Sequence, residues 1–550
     1  MPVRTFALFG ALGCALASAA FGSSAYYVDC AAGNDDADGL SPSAAWKSVA
    51  AVSKRNFDPG DSIQFRRGSV CSGMLWPKGS GSAAAPIRLD AWGSGRLPQI
   101  HAQTGEPAAL KLFDQEYWEI AHLEFAGGEP YGVFISGSKG ILHGVHLHDL
   151  VVHDVTGEPK NKETGLVVIA AGTEQQHFDD LLIDGVTAYH TSQWAGIMVA
   201  GVAHGFPPES SRNTNVVIRN SSVHDVAGDG IVLFQVNNGL IENSAAWLTG
   251  MQPTEKIGTP NAIWTWMCRN CTVRHSEAFL TDSPGVDGGA FDIDYGNDDN
   301  VVEENYGHDT QGYCFAVFAA GWVTANSQVR NNICAANGLS PRLALLQGAV
   351  YLSTWNNGKI KGLDISGNRI FWNPRVAAAA VVNVADFIGS GIFEKNTIHS
   401  CSPSVFRSSP SLVLRENSLE RCSEERRHEA DAWSLTAFVS ASEQDHESRG
   451  QVALLESVHR QFPELKIRIV VVGTSASNSE SRGNLRYDWN TGDLGLEFSD
   501  AASRVPALVL TDASGKSMWR HDGFTSPGEL GLVLRSFIGD PDYAQLRIEP

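Results

Sequence analysis

Between residues 106 and 425 the chain repeats one phrase: a short alternation of apolar and polar residues, an asparagine, then a turn. It reads VVIRNSSVHD around Asn220, GLIENSAAW around Asn243, VVEENYGHD around Asn305, QVRNNIC around Asn332, LDISGNRI around Asn368, IFEKNTI around Asn396 and LVLRENSL around Asn417. These asparagines lie 21 to 62 residues apart, and the widest gap holds a degenerate copy, NCTVRHSEAF, with His275 in the asparagine place. Apolar–polar alternation is the period of a half-buried strand. Repeated at this spacing, it predicts a solenoid of stacked parallel strands in which each coil covers the apolar edge of the next. The asparagine suits such a stack because it tolerates a left-handed turn and its amide can bond its counterpart one coil away.

The polar run ERCSEERRHEAD ends this rhythm near residue 431. WSLTAFVS and KIRIVVVG then read as strands around an amphipathic helix, RGQVALLESVHRQF, with Val452, Leu455, Val458 and Phe462 on one side. VPALVLTDASGKSMW reads as a hairpin turning at Ser514-Gly515. TSPGELGLVLRSFIG starts a last helix with Ser526 as N-cap, Pro527 at its first position and Glu529 closing a capping box.

The solenoid phrases resemble the right-handed parallel β-helix of pectin-degrading and related carbohydrate enzymes, over residues 26–425. YYVDCAAGNDDADGLSPSAAWKSV, FDPGDSIQFRRGSVCSG and PIRLDAWGSG resemble the leading segment of secreted β-helix proteins, which implies a cap over 26–105 that covers the open strand edge. Residues 431–550, with proline directly before a strand at Val505-Pro506, resemble a thioredoxin-like domain. Where that family carries its catalytic cysteines this chain reads SASEQDHESRG, and no cysteine follows Cys422. Thiol–disulfide exchange needs a thiolate, so redox activity is excluded for that segment. The expected fold class is mainly β: a right-handed parallel β-helix over 106–425 followed by a small α/β thioredoxin-like domain.

At 550 residues the chain exceeds what one core serves, and 43% hydrophobic residues supply several. Residues 1–25, with Arg4, an apolar run from Phe6 to Ala20 and small residues after it, read as a secretory signal peptide, so a secreted or periplasmic location is expected. No other stretch has the roughly 18 uninterrupted apolar residues of a membrane span. Removing Cys14 from the nine cysteines leaves eight. Cys314/Cys334 and Cys401/Cys422 are spaced about one coil apart and suit bridges between coils, and Cys268-Arg-Asn-Cys271 reads as a local disulfide. Asn34-x-Asp36-x-Asp38-Gly39 reads as a capping turn, because a calcium loop would need a glutamate where Ala45 stands. A net charge of −20 argues against nucleic acid or an anionic membrane as partner and identifies no substrate; the β-helix resemblance implies a polysaccharide or oligosaccharide, and a monomer is expected.

The densest candidate chemistry is VDGGAFDIDYG, residues 286–296. Strand alternation sends Phe291 and Ile293 into the core and Asp292 and Asp294 outward, about 6.5–7 Å apart along the backbone. Asp287 precedes them, and Gly288 and Gly289 permit close approach of a chain or ligand. Paired carboxyls on a shallow exterior groove are what glycoside hydrolysis uses, one protonated and one ionised, and this spacing suits the inverting arrangement. In-register coils would add Glu303, His308 and Asp309, and the earlier phrase HDVAGDGIVLF adds Asp229. Trp194, Trp264, Trp266, Tyr295, Tyr313, Trp322 and Trp355 offer faces for sugar rings. Repeat grammar alone accounts for His153-Asp154 and His224-Asp225, and turn chemistry for Asp298 and Asp299. No cofactor or metal is expected for hydrolysis. Two alternatives stay open: a calcium-dependent polysaccharide lyase, disfavoured by nine acidic residues and no Lys or Arg between Asp282 and Gly312, and a non-catalytic glycan-binding or scaffold protein.

Overall fold

A computed structural model describes residues 23–202, 211–251, 257–372, 378–400, 402, 404–421, 432–442, 445–472, 478–489 and 505–538. The expected signal peptide and the Cys401/Cys422 pair fall largely outside these residues.

Three long parallel sheets, of 14, 13 and 11 strands, form the bulk of the described residues, and from the strand Leu110–Phe113 onward each full coil contributes one strand to each sheet before the chain climbs to the next. The leading segment is built into the same stack. Its strands Ala25–Val28, Ser62–Arg66 and Ile87–Trp92 pair in succession at one edge of the 14-stranded sheet, and the short helix Val49–Ser53 packs Val49 and Val52 into the core. Inward residues of all three sheets form one continuous apolar core, from Val28 and Phe65 at one end to Phe393 and Leu412 at the other.

The asparagine phrase resolves into two adjacent positions. The left-handed residue is Asn220, Asn243, His275, Glu304, Asn331, Lys395 or Glu416, all with φ between 48° and 57°. The ladder is carried one residue later. Ser221, Ser244 and Ser276 begin it, and Asn305, Asn332, Asn368, Asn396 and Asn417 continue it. Each asparagine amide from Asn305 to Asn396 donates to the next at 2.9–3.1 Å, and the same oxygen accepts the backbone N–H of the coil before. The strand-turn boundary needs both a tolerated positive φ and a buried amide, and one residue cannot hold both.

Disulfides join Cys314 to Cys334, the expected bridge between neighbouring coils although a coil there is 27 residues and not 20, and Cys30 to Cys71. The expected local disulfide at Cys268 and Cys271 is not formed. Both are buried thiols whose sulfurs meet the Leu233 and Val236 carbonyls of the preceding coil. The calcium-like sequence is a turn in which Asn34 and Asp38 accept the backbone N–H groups of Asp36 and Leu40.

After the solenoid, Ser434–Ser440, Lys466–Val472 and Leu485–Trp489 lie parallel, while Ala507–Thr511, Ser517–Asp522 and Asn478–Arg482 join antiparallel, in one six-stranded sheet. The helix His446–Gln461 packs Leu454, Leu455 and Val458 against this sheet, and Pro527–Ile538 adds Leu530 and Leu534. Ser526 caps the last helix by accepting the Glu529 N–H, but the Glu529 carboxylate turns to His521 at 2.9 Å, so the reciprocal half of the capping box is absent. This unit docks on the 13-stranded sheet: Ser526 donates to Glu277, and Phe524 stacks on Trp247.

Candidate functional site

The 11-stranded sheet carries the site on its outer face. One row across it runs Val168, Met198, Val232, Trp264, Asp292, Ala316, Tyr351 in register. The earlier members are apolar and buried together with Trp194 and Phe234 in a cluster outside the solenoid core. The expected alternation holds, since Phe291 and Ile293 belong to the interior core while Asp292 points away from it. The expected shallow groove is instead a walled cleft. Asp292 is only 3% exposed, and Asp229 is fully buried.

Two adjoining hollows of about 480 and 370 Å³ meet at Lys162, Trp264, Asp294 and Tyr295. The first is bounded further by Phe234 and Trp266, the second by Asp287, Asp292, Phe318, Tyr351 and Trp355. Asp287 and Asp294 are the partly exposed carboxyls of the cleft. Four aspartates from two coils, Asp229 from one and Asp287, Asp292 and Asp294 from another, thus share one ammonium group.

Each carboxyl is held differently. Asp229 accepts from the Trp194 indole and the Asn261 backbone N–H, with the Lys162 ammonium 3.8 Å away. Asp287 accepts from the Thr259 hydroxyl, with the Tyr313 hydroxyl at 3.4 Å. Asp292 accepts the Asn261 amide at 3.2 Å, and its other oxygen is buried with no partner. Asp294 accepts the Tyr295 backbone N–H at 2.8 Å. Burial raises all four above the ordinary carboxyl range, neighbouring carboxylates add to it for Asp287, Asp292 and Asp294, and Lys162 opposes it throughout. Asp287 is pushed up to about 6 and Asp294 to about 8, with Asp292 well above its ordinary value.

Asp229, Asn261 and Gly289 stand at equivalent places, two residues before in-register strands. Gly289 is required there, because a Cβ would lie 2.0 Å from the Tyr313 ring. The close approach expected at the glycines is therefore made by Tyr313, which is fully buried and hydrogen-bonds Asn261 at 2.8 Å instead of offering a stacking face. Trp264, Trp266, Tyr295 and Trp355 do line the cleft. Trp322 stacks behind Tyr295 at 5.7 Å and Trp194 is buried against Asp229, so neither forms its wall.

Glu303, His308 and Asp309 are not at the site. A coil has three faces, and coils in register keep each strand on its own face. Glu303 lies on the 14-stranded sheet, paired with Arg330 at 2.7 Å. His308 lies on the 13-stranded sheet in a stacked row with His153, Tyr189, His224, Trp247 and Phe279. In His153-Asp154, His224-Asp225 and His308-Asp309 alike, the imidazole Nδ1 meets the next carboxylate at 2.6–2.8 Å, so the repeat grammar covers all three. Burial would lower the His308 pKa, but Asp309 and Glu277 outweigh it and push it up to about 9, a structural ion pair facing the C-terminal unit.

Lys162, Thr259 and Asn261 were not legible as site residues. Lys162 lies 125 positions before Asp287 in a polar loop, GEPKNKETG, that carries no repeat signal. Asn261 had one: it occupies the coil position that Asp229 occupies one coil earlier.

The family described as the right handed beta helix region matches residues 113–370. The chain resembles lacto-N-biosidases. It is 24% identical over 440 residues to a lacto-N-biosidase of Bifidobacterium longum subsp. longum, an alignment that takes in 60% of this chain and 27% of that protein. The chain thus spans about a quarter of the length of the relative it matches. A crystal structure of the GH136 lacto-N-biosidase of Eubacterium ramulus superimposes with a TM-score of 0.52 at 19% identity, covering 72% of this chain and 68% of that one, a likeness of fold. An alginate lyase from Paenibacillus aligns at a TM-score of 0.32 and 16% identity, covering 68% of this chain and 97% of that one, too distant to weigh.

Proposed function

We propose that the protein is a secreted glycoside hydrolase that cleaves oligosaccharides in the cleft of the 11-stranded sheet, with Asp287 and Asp294 as the working carboxyls. The observation that carries this reading is a pair of partly exposed aspartates, both held above the ordinary carboxyl range, with Asp294 where two aromatic-walled hollows meet and Asp287 in the wall of the second. Sugar rings would occupy the hollows on either side, which places the scissile bond at Asp294. Hydrolysis then needs one carboxyl in the acid form to protonate the departing oxygen and one ionised to activate water or attack the anomeric carbon. Crowding divides the labour, because four carboxyls sharing one ammonium cannot all ionise at neutral pH.

Asp292 and Asp229 are too deeply buried to reach a sugar carbon. They hold position and charge. Because the working pair is Asp287 and Asp294, the two-residue strand spacing no longer bears on stereochemistry. The lacto-N-biosidase likeness supports a first substrate class, oligosaccharides ending in lacto-N-biose. A lyase reading is weakened because Lys162, the one cation among the described residues that line the hollows, already lies 3.8 Å from Asp229 and is engaged by the cleft's own carboxyls, leaving none to neutralise a uronate.

We further propose export through residues 1–25 and, for 431–550, a thioredoxin-like module without redox chemistry, supported by its parallel β-α-β unit followed by a hairpin and a helix. A screen of the mature protein against p-nitrophenyl lacto-N-bioside, lacto-N-biose-terminated oligosaccharides and uronate polymers tests the function. New reducing ends without the absorbance of unsaturated sugars are expected. That absorbance, or inertness on every glycan, would overturn the reading.

A further inference from the structure

Away from the cleft, on the 14-stranded sheet, strands Trp118–Ala121 and Gly140–His148 lie parallel with His146 opposite Glu119 and His148 opposite Ala121. Trp118, Ile120, Val145 and Leu147 are buried in the core, so alternation sends Glu119, His146 and His148 outward together. His146 Nδ1 lies 2.9 Å from one Glu119 oxygen and His148 Nε2 lies 3.1 Å from the other. One ligand atom from each of the three residues lies within 4.8 Å of the other two, and no other group of three among the described residues does this. The remaining His146 nitrogen, Nε2, faces Asp180 at 3.3 Å, a carboxylate from the strand of the next coil.

We propose that Glu119, His146 and His148 bind one divalent transition cation of the zinc type, clasping two coils of the solenoid. Two imidazoles and a carboxylate form a three-residue set that zinc accepts, with water in the fourth position. Calcium and magnesium are disfavoured because they take oxygen ligands. Tetrahedral zinc sets neighbouring ligand atoms about 3.3 Å apart. The donors therefore need to draw in by no more than about 1.5 Å, which side chains 22–31% exposed can do by rotation while their strands stay fixed. Asp180 stands 3.3 Å from the buried and otherwise unpartnered Nε2 of His146, so a small turn of the ring toward the cation would let Nε2–H donate to its carboxylate, the outer contact that metal-bound histidines favour, with the Nδ1 lone pair on the cation.

The experiment uses the full chain stripped with EDTA and dialysed, titrated with zinc chloride by calorimetry and followed by native mass spectrometry and thermal unfolding. One zinc per chain and a raised Tm are expected. The double variant His146→Ala/His148→Ala should lose that zinc while keeping wild-type Tm in EDTA and wild-type glycan hydrolysis. Asp180→Asn should keep the one-to-one stoichiometry and weaken binding about 10- to 100-fold. Equal zinc binding by wild type and the double variant would overturn the site. So would absence of saturable binding to wild type below millimolar zinc, which would leave a plain hydrogen-bonded trio.

Discussion

Removing an aspartate from the cleft should make the protein more stable in neutral solution, and Asp287→Asn tests this. Burial raises Asp287 from 3.8 to about 6, against the pull of Thr259 and Lys162, so the folded state resists its ionisation. A shift of about 2.2 units at 1.36 kcal/mol each corresponds to about 3 kcal/mol, and partial exposure to the cleft reduces this to about 1–3. The sign follows from linkage. Below about pH 4 the carboxyl is protonated in both states and costs nothing. Between pH 4 and 6 the unfolded chain ionises first, so the wild type loses stability, and above pH 6 the loss is complete. Asparagine cannot ionise and escapes it. Thr259 and Tyr313 hydroxyls can turn to meet the amide, so any lost hydrogen bond is a pH-independent offset. At about 2.1 cal/mol/K per residue over roughly 400 solenoid residues, 1–3 kcal/mol raises Tm by about 1–4 °C. The assay is thermal unfolding of both proteins at pH 4 and pH 8. The variant should gain on the wild type only as pH rises, and a difference that is the same at both pH values would refute the reasoning.

Other consequences are open to equally direct tests. Lys162→Met removes the cation that lowers all four cleft carboxyls, so the acidic limb of the kcat/KM profile should move up by at least about one pH unit, and an unmoved limb would remove Lys162 from the charge balance. Asn332→Ala breaks the ladder and strands the buried amide of Asn305, so denaturant unfolding should show a loss of about 2–3 kcal/mol, and a loss under about 0.5 would mean that the ladder is ornamental. Gly528→Val sets a side chain where a Cβ already lies 2.3 Å from the Tyr306 hydroxyl and 2.5 Å from His308. It should loosen the C-terminal unit from the solenoid, read as faster proteolytic release with glycan hydrolysis retained, and unchanged protection would contradict the docking.

What the sequence reveals depends on how local the cause is. The alternation in AFDID determines which side chains enter the core, and Phe291, Asp292 and Ile293 obey it. The asparagine phrase predicts stacked strands, although it blends the left-handed residue with the ladder residue because they are neighbours. Cys314 and Cys334 are legible only as a pair on neighbouring coils: their 20-residue separation is shorter than the 27-residue step from Gly307 to Cys334, because Cys314 lies past the corner that follows Gly307. The site is less so, because its members are brought together by stacking and not by proximity in the chain. Asp229, Lys162 and Thr259 come from distant coils or loops, and alternation cannot tell an open outer face from one roofed by aromatics. His308 misleads for the opposite reason: it is near Asp294 in sequence, but the intervening corner turns it onto another sheet. The reduced pair Cys268 and Cys271 follows the same lesson, since inward-facing positions at the corner between two strands serve the core before they serve each other.

The central claim is that Asp287 and Asp294 perform hydrolysis in a cleft that remains folded without them. The most direct test is the turnover of wild type, Asp287→Asn and Asp294→Asn on the glycan identified by screening, with Glu303→Gln on the opposite face as control. Each cleft variant should lose at least about a thousandfold in kcat while unfolding no earlier than wild type at pH 8, and the control should keep full rate. Retention of activity by either cleft variant within tenfold of wild type would contradict the account.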